Sequence, residues 1–292
     1  MALVERAGTL SVRPIEPADV ERVAAFLART MPAGPPARTW ARAARAPWGT
    51  DQPNHGFLLE HGGDVVGANL AFYSERVLST GAQRFCNLAA LSVLPEHRAS
   101  AVRLARALLA QPGHAFTDLS PSGQVVDIDR RLGFRPLDTT TAFGVNRPGG
   151  RAPRGVRVVT GADAIDGLLE DPRERQVLAD HRDALAARHL LVVRGERQCY
   201  VLYRRDTRKR LRCFATLLHV SDPELYTDSR SAVDRVLLRE GALVTLVELR
   251  VLGGRVPPGA RLYAGRPKLV KGKDLPLDEV DDLYSELTCV PW

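Results

Sequence analysis

Three sets of residues in this 292-residue chain have types suited to chemistry. Glu75, His97 and Asp118 can each act as a general base, and Asp118, Ser120 and Ser122 make a polar cluster at the end of one expected strand. Each has an ordinary alternative: Glu75 and Asp118 as strand-end surface charges, His97 as a solvent-facing turn residue, Ser122 as a helix N-cap. The third set is a turn, Arg98, Ala99, Ser100, Ala101, Val102 and Arg103, which runs straight into an apolar helix. A strand that feeds such a turn leaves backbone N–H groups converging at the positive end of a helix, a geometry that binds phosphate.

The elements that must position these groups lie in the stretch 84–134. RFCNLAALSVLP is a nearly continuous apolar run closed by a proline, as in a strand buried on both faces. After the turn come the helix LARALLA, a short strand HAFTDLS, and a helix starting near Pro121 and Ser122 and ending at Gly133. Upstream, GFLLE and VVGANLAFY flank a glycine-containing turn and read as a hairpin whose second arm should pair with 84–93. Val20, Val23, Ala24 and Leu27 repeat at helical spacing after a first-turn proline, Pro17.

Val93, Pro95, Glu96 and Arg98, then turn, helix, strand and helix closing on Leu132, Gly133 and Phe134, resemble the core of the GNAT acyltransferase superfamily. The layout matches over about residues 9 to 146. The resemblance implies a coenzyme A thioester as donor substrate, held by the turn, with backbone N–H groups between Leu91 and Val93 receiving the thioester oxygen. It also implies that Asp118 and Ser120 face the thioester and that Ser122 stands where the family has an asparagine. The chain departs from the pattern at Ala101 and Arg103, which replace small turn residues, and at Asp129, which replaces a tyrosine acid. A glycine in such a turn lets a phosphate approach without meeting a Cβ. The carboxylate base that the family often carries on the central strand is absent, since Ala89 and Ala90 stand there.

The second half reads as a worn copy of the first. HLLVVRGERQCYVLYRR repeats the hairpin, and LRCFATLLHV lies on RFCNLAALSV with Cys213 on Cys86, Leu218 on Leu91 and Val220 on Val93. One helix opening at residues 221–224 and reaching about Arg239, an apolar strand, a short acidic helix near 277–286 and a final strand at 288–292 complete it. RPGGRAPRG, at 147–155, has no apolar periodicity and marks a boundary. The fold class expected is therefore mixed α/β: tandem GNAT-like domains at 1–147 and 148–292, each a mostly antiparallel central sheet flanked by helices, with the donor site in the first.

Hydrophobic content of 45% fits a globular chain with a sizeable core, and no apolar run spans a bilayer, so a cytoplasmic protein without membrane association is expected. Cys86, Cys199, Cys213 and Cys289 are scattered, which predicts free thiols and no metal site. The net charge of +7 suits an anionic partner. Together these features predict transfer of an acyl group from a thioester, acyl-CoA or acyl carrier protein, to an amine of a small-molecule acceptor. An aminoacyl-tRNA-dependent transferase of the Fem type, and an inert GNAT-like binding protein, are the alternatives. Trp40 and Trp48 either line the acceptor pocket or anchor a loop.

Overall fold

The computed structural model describes residues 9–150, 153–208 and 210–292. Its strands are β1 (Ser11–Pro14), β2 (Gly56–His61), β3 (Asp64–Leu78), β4 (Gly81–Val93), β5 (Ala115–Asp118), β6 (Arg135–Pro136) and β7 (Thr140–Val145), then β8 (Val156–Thr160), β9 (Arg188–Arg194), β10 (Arg197–Arg208), β11 (Leu211–Val220), β12 (Val244–Glu248), β13 (Arg261–Ala264) and β14 (Leu269–Lys271). The helices are α1 (Val20–Thr30), α2 (Ala37–Ala43), α3 (Ala101–Leu109), α4 (Gly123–Arg131), α5 (Ala162–Asp166), α6 (Pro172–His181), α7 (Pro223–Asp228), α8 (Arg230–Arg239) and α9 (Glu286–Cys289).

The strands form two sheets of seven, in the orders β1-β2-β3-β4-β5-β14-β6 and β13-β7-β12-β11-β10-β9-β8. Each has a single parallel pair, β4 with β5 and β11 with β12, in an otherwise antiparallel sheet. Reading the second order backwards superimposes it on the first, strand for strand. The repeat expected from sequence is thus a repeat of topology, and Val93 and Val220 each end a central strand.

One strand in each sheet comes from the other half of the chain. β14, late in the chain, lies between β5 and β6, while β7, which precedes the 147–155 segment, lies between β12 and β13. Leu269 and Val270 of β14 are fully buried, so the exchanged strand carries core as well as ladder.

Apolar periodicity accounts for the layers. Val20, Val23, Ala24 and Leu27 of α1 pack on Leu58, Leu70 and Phe72 of one sheet face, with Trp40 and Trp48 in the same cluster. Leu108 of α3 and Val126 of α4 cover Cys86, Leu88 and Phe116 on the other. Trp48 donates Nε1–H to the Tyr73 carbonyl at 2.7 Å, and Trp40 stacks edge-on against Trp292 at 5.3 Å. Both tryptophans are buried anchors, Trp40 from within α2 and Trp48 from the loop after it.

Three expectations need correction. The acidic helix expected near 277–286 is only a 3₁₀ turn, Leu277–Glu279. The helix expected over 221–239 breaks at Ser229 into α7 and α8; Asp222 caps α7 by accepting from the Leu225 N–H at 2.9 Å. The final segment is not a strand: Thr288 and Cys289 belong to the short helix α9, and Cys289 and Val290 pack in the α1–α2 core. Its packing between the halves is as expected, with Leu283 in a second-half cluster.

Candidate active site

The site begins with a defect in the first sheet. β4 pairs with β5 only from Phe85 to Leu88, yet it stays paired with β3 as far as Val93. Between Ala68 and Leu70 the register slips, so that Ala90 and Leu91 face the one residue Asn69, and Ala90 takes a φ of 52°. Such a bulge bends and twists a strand. Beyond Leu88 the two strands diverge, and the half-buried stretch from Ala90 to Val93 turns backbone groups toward the gap. Asn69, opposite the bulge, is buried with an unpartnered Oδ1. Neither the bulge nor Asn69 was legible in sequence, because nothing in an alanine pair announces a positive φ.

Two groups of buried acid flank the gap. On one sheet face, Glu286 of α9 is wholly buried; Ser120 donates Oγ–H to its Oε1 at 2.5 Å and Asn87 donates Nδ2–H to its Oε2 at 2.5 Å. Thr117 completes the chain by donating to Asn87 Oδ1 at 2.9 Å. Burial pushes the Glu286 carboxyl above its ordinary value, and the two donors oppose this. On the other face lie Asp118 and Asp129, both buried and both pushed upward, first by burial, with the charges of Asp129 and Glu286 also raising Asp118; among the described residues Asp129 Oδ2 has no donor. Two carboxyls so placed share a proton.

Of the residues singled out from sequence, Asp118 and Ser120 come to this gap, as do Leu91 and Val93 on the facing strand. Ser122 stands at the N-cap of α4 but caps nothing with its side chain. The turn is a 3₁₀ segment, Pro95–Ser100, continuous with α3. Ala101 donates its N–H to the Arg98 carbonyl, which takes that amide out of any phosphate cradle. Arg98 and Ala99 are exposed, Ser100 and Val102 half-buried, and Arg103 leans toward the Leu10 carbonyl at 3.5 Å.

Glu75 is not brought to the site. It pairs with Arg84, seven residues from Leu91 along β4, or about 23 Å at strand rise. Instead it lines a cleft of about 440 Å³ between the halves, with Glu174 and His219. His97 packs edge-on against His61 at 5.3 Å, at the β2–β3 turn rather than in the gap. Sequence reasoning missed Glu286 and Asn87. Glu286 lies 166 residues from Ser120, and its only local signal is Ser285, whose hydroxyl accepts the Leu287 N–H as a helix cap.

Ser120 also faces a cavity of about 60 Å³ between the two sheets, lined in part by Arg204, Asp206, Arg208, Arg266 and Lys268. Among the described residues no cluster of His, Cys, Asp and Glu could hold a metal ion, and no helix is long and apolar enough to cross a membrane.

No protein-family model and no curated protein matches the sequence. Solved structures do. A GCN5-related N-acetyltransferase of Anabaena variabilis is 9% identical, with a TM-score of 0.60 over 90% of this chain and 72% of that one. One from Kribbella flavida is 15% identical, with a TM-score of 0.56 over 93% and 73%. A provisionally assigned acetyltransferase of Pyrococcus horikoshii is 14% identical, with a TM-score of 0.58 over 97% and 95%. At such identities the shared property is the path of the backbone: the chain has the fold of these N-acetyltransferase structures, and within it two sheets of like topology, each with one parallel pair.

Proposed function

We propose that the chain is an N-acyltransferase that moves an acyl group from a thioester to an amine, using the gap between β4 and β5. The observation that carries this reading is Glu286: a buried carboxyl, raised by its surroundings, hydrogen-bonded to one side chain from β4 and to another just after β5. A buried carboxyl with a raised pKa is a stronger base than a surface one. Glu286, acting through the Ser120 hydroxyl, takes a proton from the acceptor ammonium. The amine nitrogen then attacks the thioester carbon, and backbone N–H groups between Leu91 and Val93 receive the oxyanion. As the C–S bond breaks, the proton shared by Asp118 and Asp129 passes to sulfur. Of the two protons the nitrogen gives up overall, one balances the thiol and one goes to solvent.

The acids thus divide the labour by sheet face, base on one and proton donor on the other. Asp129 stands where the resemblance places a tyrosine acid, and its raised pKa lets a carboxyl take that role. In this reading the donor is acyl-CoA or an acyl carrier protein, Arg98 and Arg103 meet its phosphates, and the acceptor is a small amine. Residues 1–147 and 148–292 are two domains, with the donor site in the first. A cytoplasmic setting fits the free, buried thiols of Cys86, Cys199 and Cys289.

A second reading has one observation in its favour. The Ala101 N–H is engaged within the turn, and no glycine opens the cradle, which favours a donor without a pyrophosphate at that place, such as aminoacyl-tRNA. Calorimetric titration with acetyl-CoA at low and moderate salt separates the two. Binding that Arg98→Asp abolishes supports the thioester donor. No binding at either salt, with RNA binding that falls steeply with salt, supports the tRNA donor.

A further inference from the structure

We infer that the cavity between the two sheets binds a carboxylate, and that the acceptor amine is therefore a carboxylate-bearing one, of the amino-acid class. The second half of this statement rests on the acyl-transfer reading; the first does not. The central residue is Arg204 of β10, only 1% exposed. It lines the cavity, donates Nη1–H to the Leu287 carbonyl at 2.8 Å, and among the described residues leaves Nη2 without a partner. Its Nε lies 3.2 Å from Asp206 Oδ1 but off the line of a hydrogen bond. A buried guanidinium with an idle donor is costly unless something occupies that donor.

The surroundings select the ligand's charge and size. Arg204, Arg208, Arg266 and Lys268 stand against Asp206 and Glu248 in the lining, four cations to two carboxylates. Lys268 is already held by Glu248 at 2.6 Å and Asp282 at 2.5 Å. Arg208 donates to the Tyr263 hydroxyl at 3.0 Å, lies 3.8 Å from Asp206, and among the described residues keeps a partnerless Nε. Arg204 and Arg208 share the single carboxylate of Asp206, at 3.2 and 3.8 Å, and Arg266 adds a further positive charge, so positive charge remains to be met there even with Glu286 near Arg204, and Asp206 is close enough to repel a dianion. The 60 Å³ has room for roughly four waters, which suits a carboxylate with a short stem better than a phosphate ester. An arginine fork matches a planar carboxylate in two parallel bonds. Ser120 lines the same cavity and donates to Glu286, so the proposed base reaches the anchor's cavity through that hydroxyl.

The test uses sodium propionate as probe, with propionamide as the uncharged control, titrated into the full-length protein and followed by thermal shift and by ligand-observed NMR. Propionate should bind and propionamide should not. Arg204→Gln should weaken propionate by about thirtyfold or more, the range for losing one partner of a buried charge pair. Because a buried arginine can be needed for folding, Asp206→Asn is the second variant: it keeps the Thr216 hydroxyl contact and removes the competing charge. It should tighten propionate several-fold, a gain that structural damage cannot produce. Wild-type protein that ignores propionate, or Asp206→Asn that binds it no better, overturns the inference. Neither arm needs a thioester, so propionate binding without any acyl transfer would refute the enzyme reading alone. If both hold, acyl transfer to an α-amino acid should exceed transfer to its decarboxylated amine by about a hundredfold or more.

Discussion

Replacing Glu286 by glutamine tests the proposed chemistry with little disturbance of shape. In the wild type the carboxylate accepts from Asn87 and from Ser120, each at 2.5 Å. A glutamine can keep its carbonyl on Asn87 Nδ2 and donate its amide to Ser120 Oγ, since a hydroxyl accepts as well as it donates. The ladder from Thr117 to Asn87 is then untouched. What is lost is the base. Positioned general bases contribute about 10²–10⁴ in rate, equivalent to roughly 3–5 kcal/mol of barrier. Thiol release from acetyl-CoA with a panel of amino acids and amines, read as kcat/KM, should therefore fall by at least about a hundredfold in Glu286→Gln. Its Tm at neutral pH should be unchanged or higher, because a buried carboxyl that resists ionisation has been removed. Turnover within threefold of wild type would refute the role. So would lost turnover accompanied by a fall of many degrees in Tm, which would make Glu286 structural.

Three further outcomes follow from the same geometry. Asp118, Asp129 and Glu286 are all raised in the fold, so the folded chain holds protons that the unfolded chain gives up near pH 4; stability should fall as pH rises from there through their folded values, by about 1.4 kcal/mol per pH unit for each carboxyl titrating. Asp129→Asn should flatten that fall in Tm-versus-pH scans, and an unchanged slope would show that Asp129 ionises freely. Ala90→Gly should stabilise by about 1 kcal/mol in urea melts, since a φ of 52° strains any residue with a Cβ, and a destabilised variant would place the strain elsewhere. Residues 1–147 expressed alone should not fold cooperatively, because β5 and β6 would flank an empty slot; co-expression with 148–292 should restore both, and a soluble, cooperatively melting 1–147 would contradict the exchange.

Local pattern made much of this legible. Helical spacing placed α1, the glycine turn placed the β2–β3 hairpin, and the apolar run closed by Pro95 placed β4, because in each the signal lies within a few residues. The break at Ser229 escaped because the sequence there holds neither proline nor glycine, and tertiary packing of α7 and α8 decides the bend. Of the candidate residues, Asp118 and Ser120 lie together at the end of β5, as their place in the sequence suggested. Glu75 and His97 have the same chemistry and lie away from that gap: what a base faces is set by sheet register that the chain's own order does not state.

The strand exchange explains why the site itself was the least legible part. β14 runs antiparallel to β5, so Leu269 enters beside Asp118 and Lys271 leaves beside Phe116, at the far end from the site; residues 272–285, with a 3₁₀ turn at Leu277–Glu279, then carry the chain back to α9. Glu286 arrives at Ser120 and Asn87 by that route, and Leu287 arrives at Arg204 of the second sheet by the next residue. The base and the cavity are therefore joined at a place neither half can build: the first half supplies the open strands, the second supplies Arg204, and the segment after the exchanged strand ties them. A fold used twice, with one strand traded each way, turns the seam between the copies into the wall of a pocket. Substitutions at the seam should then alter acceptor preference more than donor binding.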